Sequence, residues 1–596
     1  MINFYDYLNI GFYFAFIIGV GIYFSRKSKN TSDYFRGGGA LPWWVTGASA
    51  WMAGFTAWTF VGAAGKIYQT GPYVLVLYYQ NVIPVIVLFA LTCYRFRRMR
   101  VVTPMEALRL RFGPGAQQFY TWIRLPLMLV FGGFTLNSVA VFMSAVFGFP
   151  LETTLIALGL MVTFISLLGG AMGVVAADFV QMFLIVLVAG TAMVLALLHP
   201  AIGGFGGLMN QAPAAHFNWS EIARPEFISL WWVALTLNTL FSLNTLSDEK
   251  AAKYMMAQSD SHARKMILIP FLGTVFGPIL WIIPPMAAAV LIRDLPARFP
   301  QLTNPEEAAF LAIAQDLLPQ GMLGLLICCI FAASVTDIAG SLNWGSGLLL
   351  RNFYLPVINP HCPEKRLIKL SRFGAAGLGA LIVGSALLIN HFRSVAAAGG
   401  KGWGLFDLMN QVGTSLAMPL AIPACLGMFY RRTPPWSAWT TAVIGLVMSY
   451  VAIRYIQPEI MASLPGFGGP YTFEETRQFG VISTAFLVGC VCVAWFFFTS
   501  LFYEKTSPEH KANVNELFDR MATPLPDHRG PEHEENHGFA ISIGRMCMLY
   551  GGFITLLALI PNSAQGRLCY IACGGIMLGL GLWVNRFYRG KQKIPV

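Results

Sequence analysis

The chain has 596 residues, 56% hydrophobic and only 11% charged, with a mean hydropathy of +0.60. That balance excludes a soluble globular protein and makes the bilayer the solvent of most of the chain. The net charge of +12 would suit a nucleic-acid partner, but the Lys and Arg residues gather in short segments between apolar stretches, as in loops facing an anionic leaflet.

In chain order, about fifteen apolar stretches reach the ~20 residues that a crossing needs. They run near 7–25, 42–65, 73–94, 119–147, 152–169, 174–198, 229–247, 266–292, 321–350, 371–392, 405–429, 437–456, 482–502, 541–561 and 566–586. They predict an all-α polytopic membrane protein with about 15 transmembrane helices. The first stretch follows a start (Met1 to Tyr7) without basic residues and lacks a small-residue cleavage site, so it reads as a retained span and not a signal peptide. With the N-terminus outside, Arg26, Lys27, Lys29 and Arg36 fall inside, as do the run Tyr94–Arg100, Lys250/Lys253, Arg366/Lys369/Arg372 and the tail from Arg586. This positive-inside bias predicts a multi-pass protein of the cell inner (plasma) membrane with a cytoplasmic C-terminus and external loops at 199–228 and 457–480.

The second stretch is interrupted at its middle by Met52-Ala53-Gly54-Phe55-Thr56, with Thr59 beyond. A helix that unwinds there frees carbonyls for an ion, water or substrate. An ordinary helix using Gly and Ala for close packing is the other reading. Five spans later, 229–247 is crowded with Thr236, Asn238, Thr239, Ser242, Asn244 and Thr245. Two interrupted spans at matching positions in successive five-helix blocks point to an inverted-repeat transporter.

Thr336 and Asp337 lie deep in the apolar segment Leu317–Tyr354. Ionising a carboxylate there costs at least ~2.5–3.5 kcal/mol unless a partner neutralises it. A hydroxyl, a carboxylate and backbone carbonyls suit an alkali cation, whereas a protonated or Arg- or Lys-paired Asp337 would be a packing element. The polar segment 504–540 carries His528, His533 and His537 with Glu532, Glu534 and Glu535, which reads as a metal site or as a solvated linker. The ten cysteines show no ligand or redox spacing and read as small core hydrophobes.

Several stretches resemble the sodium:solute symporter family. SDYFRGGGALPWW followed by AWTFVGAAGKIYQTG is similar to the family's opening, and GGAMGVVAADFVQMF (Gly169–Phe183) to its GG-x-x-AV-x-x-TD-x-x-Q element. AASVTDIAGSLNWGSGLLLRNFY, LFDLMNQVGTSLAMPLAIPACLGMFYRRTPPWSAW and, weakly, AKYMMAQSDSHARK are similar to three further family elements. The resemblance implies a leucine-transporter-type five-plus-five inverted repeat. It divides the chain into an extra helix and basic loop (1–40), a first repeat (41–200), a second repeat (201–432) and four additional helices with the 504–540 loop and tail (433–596).

The resemblance also implies one sodium site between core helices 1 and 8. Its carbonyl ligands fall on Met52, Phe55 and Ala333, and its side-chain ligands on Thr336 and Asp337, where the family usually has two hydroxyls. Asp178 matches the acidic residue of a second sodium site, but that site's serines correspond to Ala339 and Gly340, so one sodium is expected. Family substrate contacts project onto Gly54, Thr56, Thr59, Tyr78, Gln80, Asn81, Asn244 and Asn410. The acidic residue and Gln of sugar-transporting members are not retained near Tyr78 and Thr59. Arg124 reads as a contact for a substrate carboxylate or as an interfacial anchor.

Together these imply sodium-coupled symport of a small polar solute across the lipid bilayer by alternating access, a sugar or polyol fitting best and a carboxylate solute such as sialic acid or an amino acid second. A transporter-like solute sensor is the reading from another class. It would need an attached signalling module, for which 504–540 and the tail are too short. An enzyme is not expected, since the spans carry no GxSxG, HExxH or paired-His motif.

Overall fold

A backbone in hydrocarbon must close its hydrogen bonds internally, and this chain is helical almost throughout. The computed structural model describes residues 2–592 apart from 26–40, 102, 167–170, 249, 256, 258, 399–403, 457, 462, 464–467 and 526–531. The basic group Arg26, Lys27, Lys29 and Arg36, the SDYFRGGG motif, Gly169–Gly170 and His528 therefore lie outside the described residues.

Among the described residues, twelve helices are long and apolar enough to cross a membrane. Length and composition thus count twelve and not about fifteen, because three expected stretches are built from shorter pieces. The 42–65 stretch is two short helices, Trp43–Met52 and Gly62–Thr70, around a single turn at Ala57–Thr59. The 152–169 stretch is the helix Leu151–Ser166. The 405–429 stretch joins Leu405–Val412 to Met418–Leu426 through a π turn at Gly413–Ala417.

The axis of the fold is Met322–Leu349. The apolar window of the run Met322–Ile358 is 89% buried, against 22% for Phe4–Phe24 at the periphery. It packs on Phe4–Ser25, Pro104–Phe147, Ala171–Leu198 and Glu364–Ala398. It also pins the interrupted helix. Trp43–Met52 stops at Ala53–Gly54, and Thr56 is extended at φ −136° and ψ 173°. The Ala57 N–H donates to Ser334 Oγ at 2.9 Å, and Ser334 donates onward to the Ile330 carbonyl at 3.0 Å. A hydroxyl from the buried axis thus takes over one bond that the unwound backbone gave up. Where Gly62–Thr70 ends, Gly71 turns the chain at φ +62°, and a Cβ there would lie 2.5 Å from His216 Cβ, so both conformation and space demand glycine.

Three expectations need correction. The interruption expected inside 229–247 falls at its end and not in its middle: Pro225–Leu243 is one continuous helix, and the chain unwinds from Asn244 before Lys250–Met255. Polar groups along it close locally, as where Thr236 Oγ1 donates to the Trp232 carbonyl at 2.7 Å. The 457–480 loop is shorter than expected, since the helix Phe473–Phe498 starts at a Thr472/Glu475 capping box. Its acidic first turn is tolerated because Lys66 and Arg224 reach Glu474 and Glu475 at 2.5 and 3.0 Å.

Third, 504–540 is not wholly a solvated linker. Pro508–Ala522 is amphipathic and buries Val514, Leu517, Phe518 and Met521 against Pro104–Phe147 and Cys93–Arg98. Arg98 clamps it, donating to the Met521 carbonyl at 3.2 Å and to Asp260 at 2.7 Å. Among the described residues no group of three His, Cys, Asp or Glu could hold a metal ion. His537 sets its ring against Tyr588 with centroids 5.5 Å apart, and the side chains of Glu532, His533, Glu534 and Glu535 lie outside the described residues.

Candidate solute and cation site

The interrupted helix opens beside a cavity of about 480 Å³. All the projected substrate contacts except Asn244 line it: Gly54, Thr56 and Thr59 from the break, Tyr78, Gln80 and Asn81 from the next helical segment, and Asn410 from Leu405–Val412. Gln80 organises the polar wall, its amide donating to Asn81 Oδ1 and Thr239 Oγ1 at 3.1 Å each. Gln80 Oε1 and Asn238 Oδ1, also on the wall, have no partner among the described residues. Trp58, Tyr78 and Trp281 supply aromatic faces. This is a pocket of amides and hydroxyls on an aromatic frame, suited to a small polar molecule.

Asn244 stands apart. It is buried at the end of Pro225–Leu243, accepting from Thr92 Oγ1 at 2.5 Å and donating to the Leu240 carbonyl at 2.9 Å. It is the C-cap residue of that helix. Arg124 is buried on the cavity wall. Its guanidinium donates to Ser247 Oγ at 2.5 Å and faces Asp248 at 3.4 Å.

A second cavity, of about 170 Å³, gathers Met52, Thr336 and Asp337 with Asp178, Lys250 and Lys253. Ala333 lies one helical turn before Asp337 and so on the same face. Phe55 supplies a backbone carbonyl at the break while its ring packs on Trp281, with centroids 5.0 Å apart. The Met52 carbonyl accepts the Phe55 N–H at 3.0 Å, so it is held at the edge of the unwound turn. Asp337 Oδ2 accepts from Thr135 Oγ1 at 3.3 Å, and Thr336 Oγ1 donates to Gln181 Oε1 at 3.5 Å. Of the five expected ligand residues, Met52, Thr336 and Asp337 line this cavity, Phe55 lines the larger one and Ala333 lines neither; carboxylate and hydroxyl oxygens such as those of Asp337 and Thr336 suit a hard monovalent cation. Ala53, Lys250, Asp337 and Trp344 line both cavities, which therefore adjoin at these residues.

On the wall of the larger cavity, Trp58 stacks on Phe406 with centroids 5.5 Å apart and planes at 10°. Beyond Phe406 lies a buried ion cluster: Lys66 Nζ meets Glu474 at 2.5 Å and Asp407 at 3.7 Å, and Arg477 meets Asp407 at 2.8 Å. Ser49, Ser334, Lys250 and Lys253 join the site without having been expected there from sequence. Ser334 had a signal, a hydroxyl inside an apolar helix within the AASVTD stretch. The lysines carried only a loop charge, and nothing local marks them as facing a buried carboxylate.

A helix broken at mid-span, a polar cavity at the break and a set of hard oxygens against it define a secondary transporter. The sodium:solute symporter family model matches residues 34–445, and the chain belongs to that family. It is a sodium-coupled transporter and not an enzyme. The chain is 27% identical over 482 residues to the sodium/glucose cotransporter of Vibrio parahaemolyticus, covering 75% of this chain and 84% of that protein. It is 24% identical over 468 residues to the sodium/sialic acid symporter NanT of Aliivibrio fischeri, covering 76% and 87%. To the sodium/myo-inositol cotransporter 2 of Oryctolagus cuniculus it is 26% identical over 484 residues, covering 75% and 70%. The fold is similar to that of a sodium-coupled sialic acid symporter solved in a substrate-bound outward-open state, with a TM-score of 0.59 at 18% identity over 85% of this chain and 99% of that one. The leucine-transporter-type fold expected from the sequence is therefore present.

Proposed function

We propose that the protein imports a small neutral polar solute, a sugar or polyol, together with one sodium ion by alternating access. The observation that carries this reading is the amide- and hydroxyl-rich cavity abutting, through Asp337, a second set of hard oxygens. Polyol hydroxyls both donate and accept, as amides do. The charged side chains on the cavity wall balance, Arg124 and Lys250 against Asp248 and Asp337. Sodium would be held by the carbonyls of Met52, Phe55 and Ala333 and the side chains of Thr336 and Asp337. The solute would meet Gly54, Thr56, Thr59, Tyr78, Gln80, Asn81 and Asn410. Coupling is then reciprocal: each ligand raises the affinity for the other by the same factor.

A carboxylate solute is the second reading, favoured by Arg124, whose Nε lacks a partner among the described residues. The proposed topology has about fifteen crossings of ~20 residues or fewer, the N-terminus outside, the C-terminus cytoplasmic, and two five-helix repeats spanning 41–200 and 201–432. The Lys66 end of the cavity then faces outward and the Lys253 end inward. Uptake of a panel of sugars, polyols and carboxylates into proteoliposomes tests the reading: uptake should collapse when an inward sodium gradient is replaced by potassium. Equal uptake in potassium refutes symport, and uptake confined to carboxylates selects the second reading.

A further inference from the structure

Asp178 lies on Ala171–Leu198 with its side chain 2% exposed, facing the same cavity as Met52, Thr336 and Asp337. Its Oδ2 accepts from Ser49 Oγ at 2.5 Å. Lys253 Nζ donates to Ser49 Oγ at 2.8 Å and stands 3.8 Å from Asp178 Oδ2. Oδ1 is buried and has no partner among the described residues. Three separate segments therefore meet on one charge: Trp43–Met52 ahead of the break, Ala171–Leu198, and Lys250–Met255 after the sixth core helix.

A carboxylate with an orphan oxygen in a low-dielectric wall demands a cation. The ammonium present is too far from the carboxylate for a charge-assisted hydrogen bond, which closes to ~2.7–2.9 Å. It supplies charge without filling Oδ1. The Lys253 side chain is 23% exposed, so its head stays in reach of water and its stem can withdraw. Asp178 carboxylate and Ser49 hydroxyl are the same hard donor types that Asp337 and Thr336 offer nearby. We infer that Lys253 is a tethered counter-ion: its ammonium occupies, from within the chain, a second cation position formed by Asp178 and Ser49, and so holds the number of bound sodium ions at one. The inference rests on the sodium-symport reading and adds to it a residue that sets stoichiometry.

Equilibrium binding of sodium-22 to the purified full-length chain in nanodiscs tests this without knowledge of the solute. The unaltered protein should bind one ion per chain, and no binding would sink the symport reading itself. Lys253→Met keeps the apolar stem and removes the charge; it should bind two. Lys253→Arg should bind one, and Lys253→Met with Asp178→Asn should return to one. A count of one for Lys253→Met overturns the inference, as does a count of two that persists in the double variant. If Lys253→Met does not fold, Lys253→Gln, which keeps a donor for Ser49, should bind two in its place, and a count of one there overturns the inference equally.

Discussion

Lys66 is the sharpest point at which to disturb the conformational equilibrium. It sits on Gly62–Thr70, the part of the broken helix after the break, with its side chain 4% exposed, bound to Glu474 at 2.5 Å and to Asp407 at 3.7 Å. Lys66→Met preserves the stem and strips the ammonium from two buried carboxylates. Breaking a buried pair by deleting one partner costs ~3–5 kcal/mol. Arg477 still holds Asp407 at 2.8 Å, and Gln478 still donates to Glu474 at 3.1 Å, so the lower end, ~3 kcal/mol, is expected. That cost falls only on the conformation in which Asp407 and Glu474 are dry. A state whose outer mouth is hydrated is spared, and its population relative to the closed state should rise ~10²-fold. Ser242 lines the solute cavity; as Ser242→Cys it should react with an impermeant maleimide far faster when Lys66→Met is added. A labelling rate within twofold of the Lys66 background would refute the reasoning, and a lowered melting temperature with that unchanged rate would show that Lys66 stabilises every state alike.

Asp337→Asn removes the one formal charge among the proposed sodium ligands and should raise the sodium concentration for half-maximal sodium-22 binding at least tenfold. Thr336→Val should raise it too, Asp337→Ser should retain measurable transport at lower sodium affinity, and an unshifted binding curve for Asp337→Asn removes the ligand role. Gly47→Ala would place a Cβ 2.5 Å from the Met266 carbonyl oxygen, which backbone cannot yield, whereas a Cβ at Gly54 meets only the Trp51 carbonyl at 3.6 Å. The first should cost ~1–3 kcal/mol of stability and the second little, as read from melting temperatures. Burial, and after it the charge of Arg111, hold the His510 imidazole below its ordinary value, while its contact with the Thr433 carbonyl pulls the other way. Undocked Pro508–Ala522 therefore takes up a proton below about pH 6.5 that the docked helix resists, so docking weakens as pH falls and is unaffected above that value. Proteolysis within 508–522 should increase between about pH 7.5 and 5.5 in the native chain but not in His510→Gln.

What sequence declares is whatever a single segment can show. Spans declare themselves by length and hydropathy, and the break at Ala53–Thr56 by a glycine and hydroxyls where apolar residues belong. Asp337 is conspicuous because a lone carboxylate in an apolar helix is expensive. The rest depends on what lies across the gap. Asn244 has the side chain of a cavity residue, but Thr92 and the Leu240 carbonyl absorb it, and no pattern inside 229–247 reveals that. Glu474 and Glu475 argue against a helix start in the apolar zone until Lys66 and Arg224 arrive from far away in sequence. The amphipathic Pro508–Ala522 helix is half visible, since its apolar face is clear but the platform beneath it is not.

A carrier is tight only when its two cargoes cannot leave separately. Here Asp337, Lys250, Trp344 and Ala53 line both chambers at once. If solute and ion occupy these two cavities as proposed, slippage becomes a question of how well those four shared residues keep them apart. On that proposal the indole of Trp344, the bulkiest of the four, would set how much of the ion gradient is dissipated as leak and how much drives uptake.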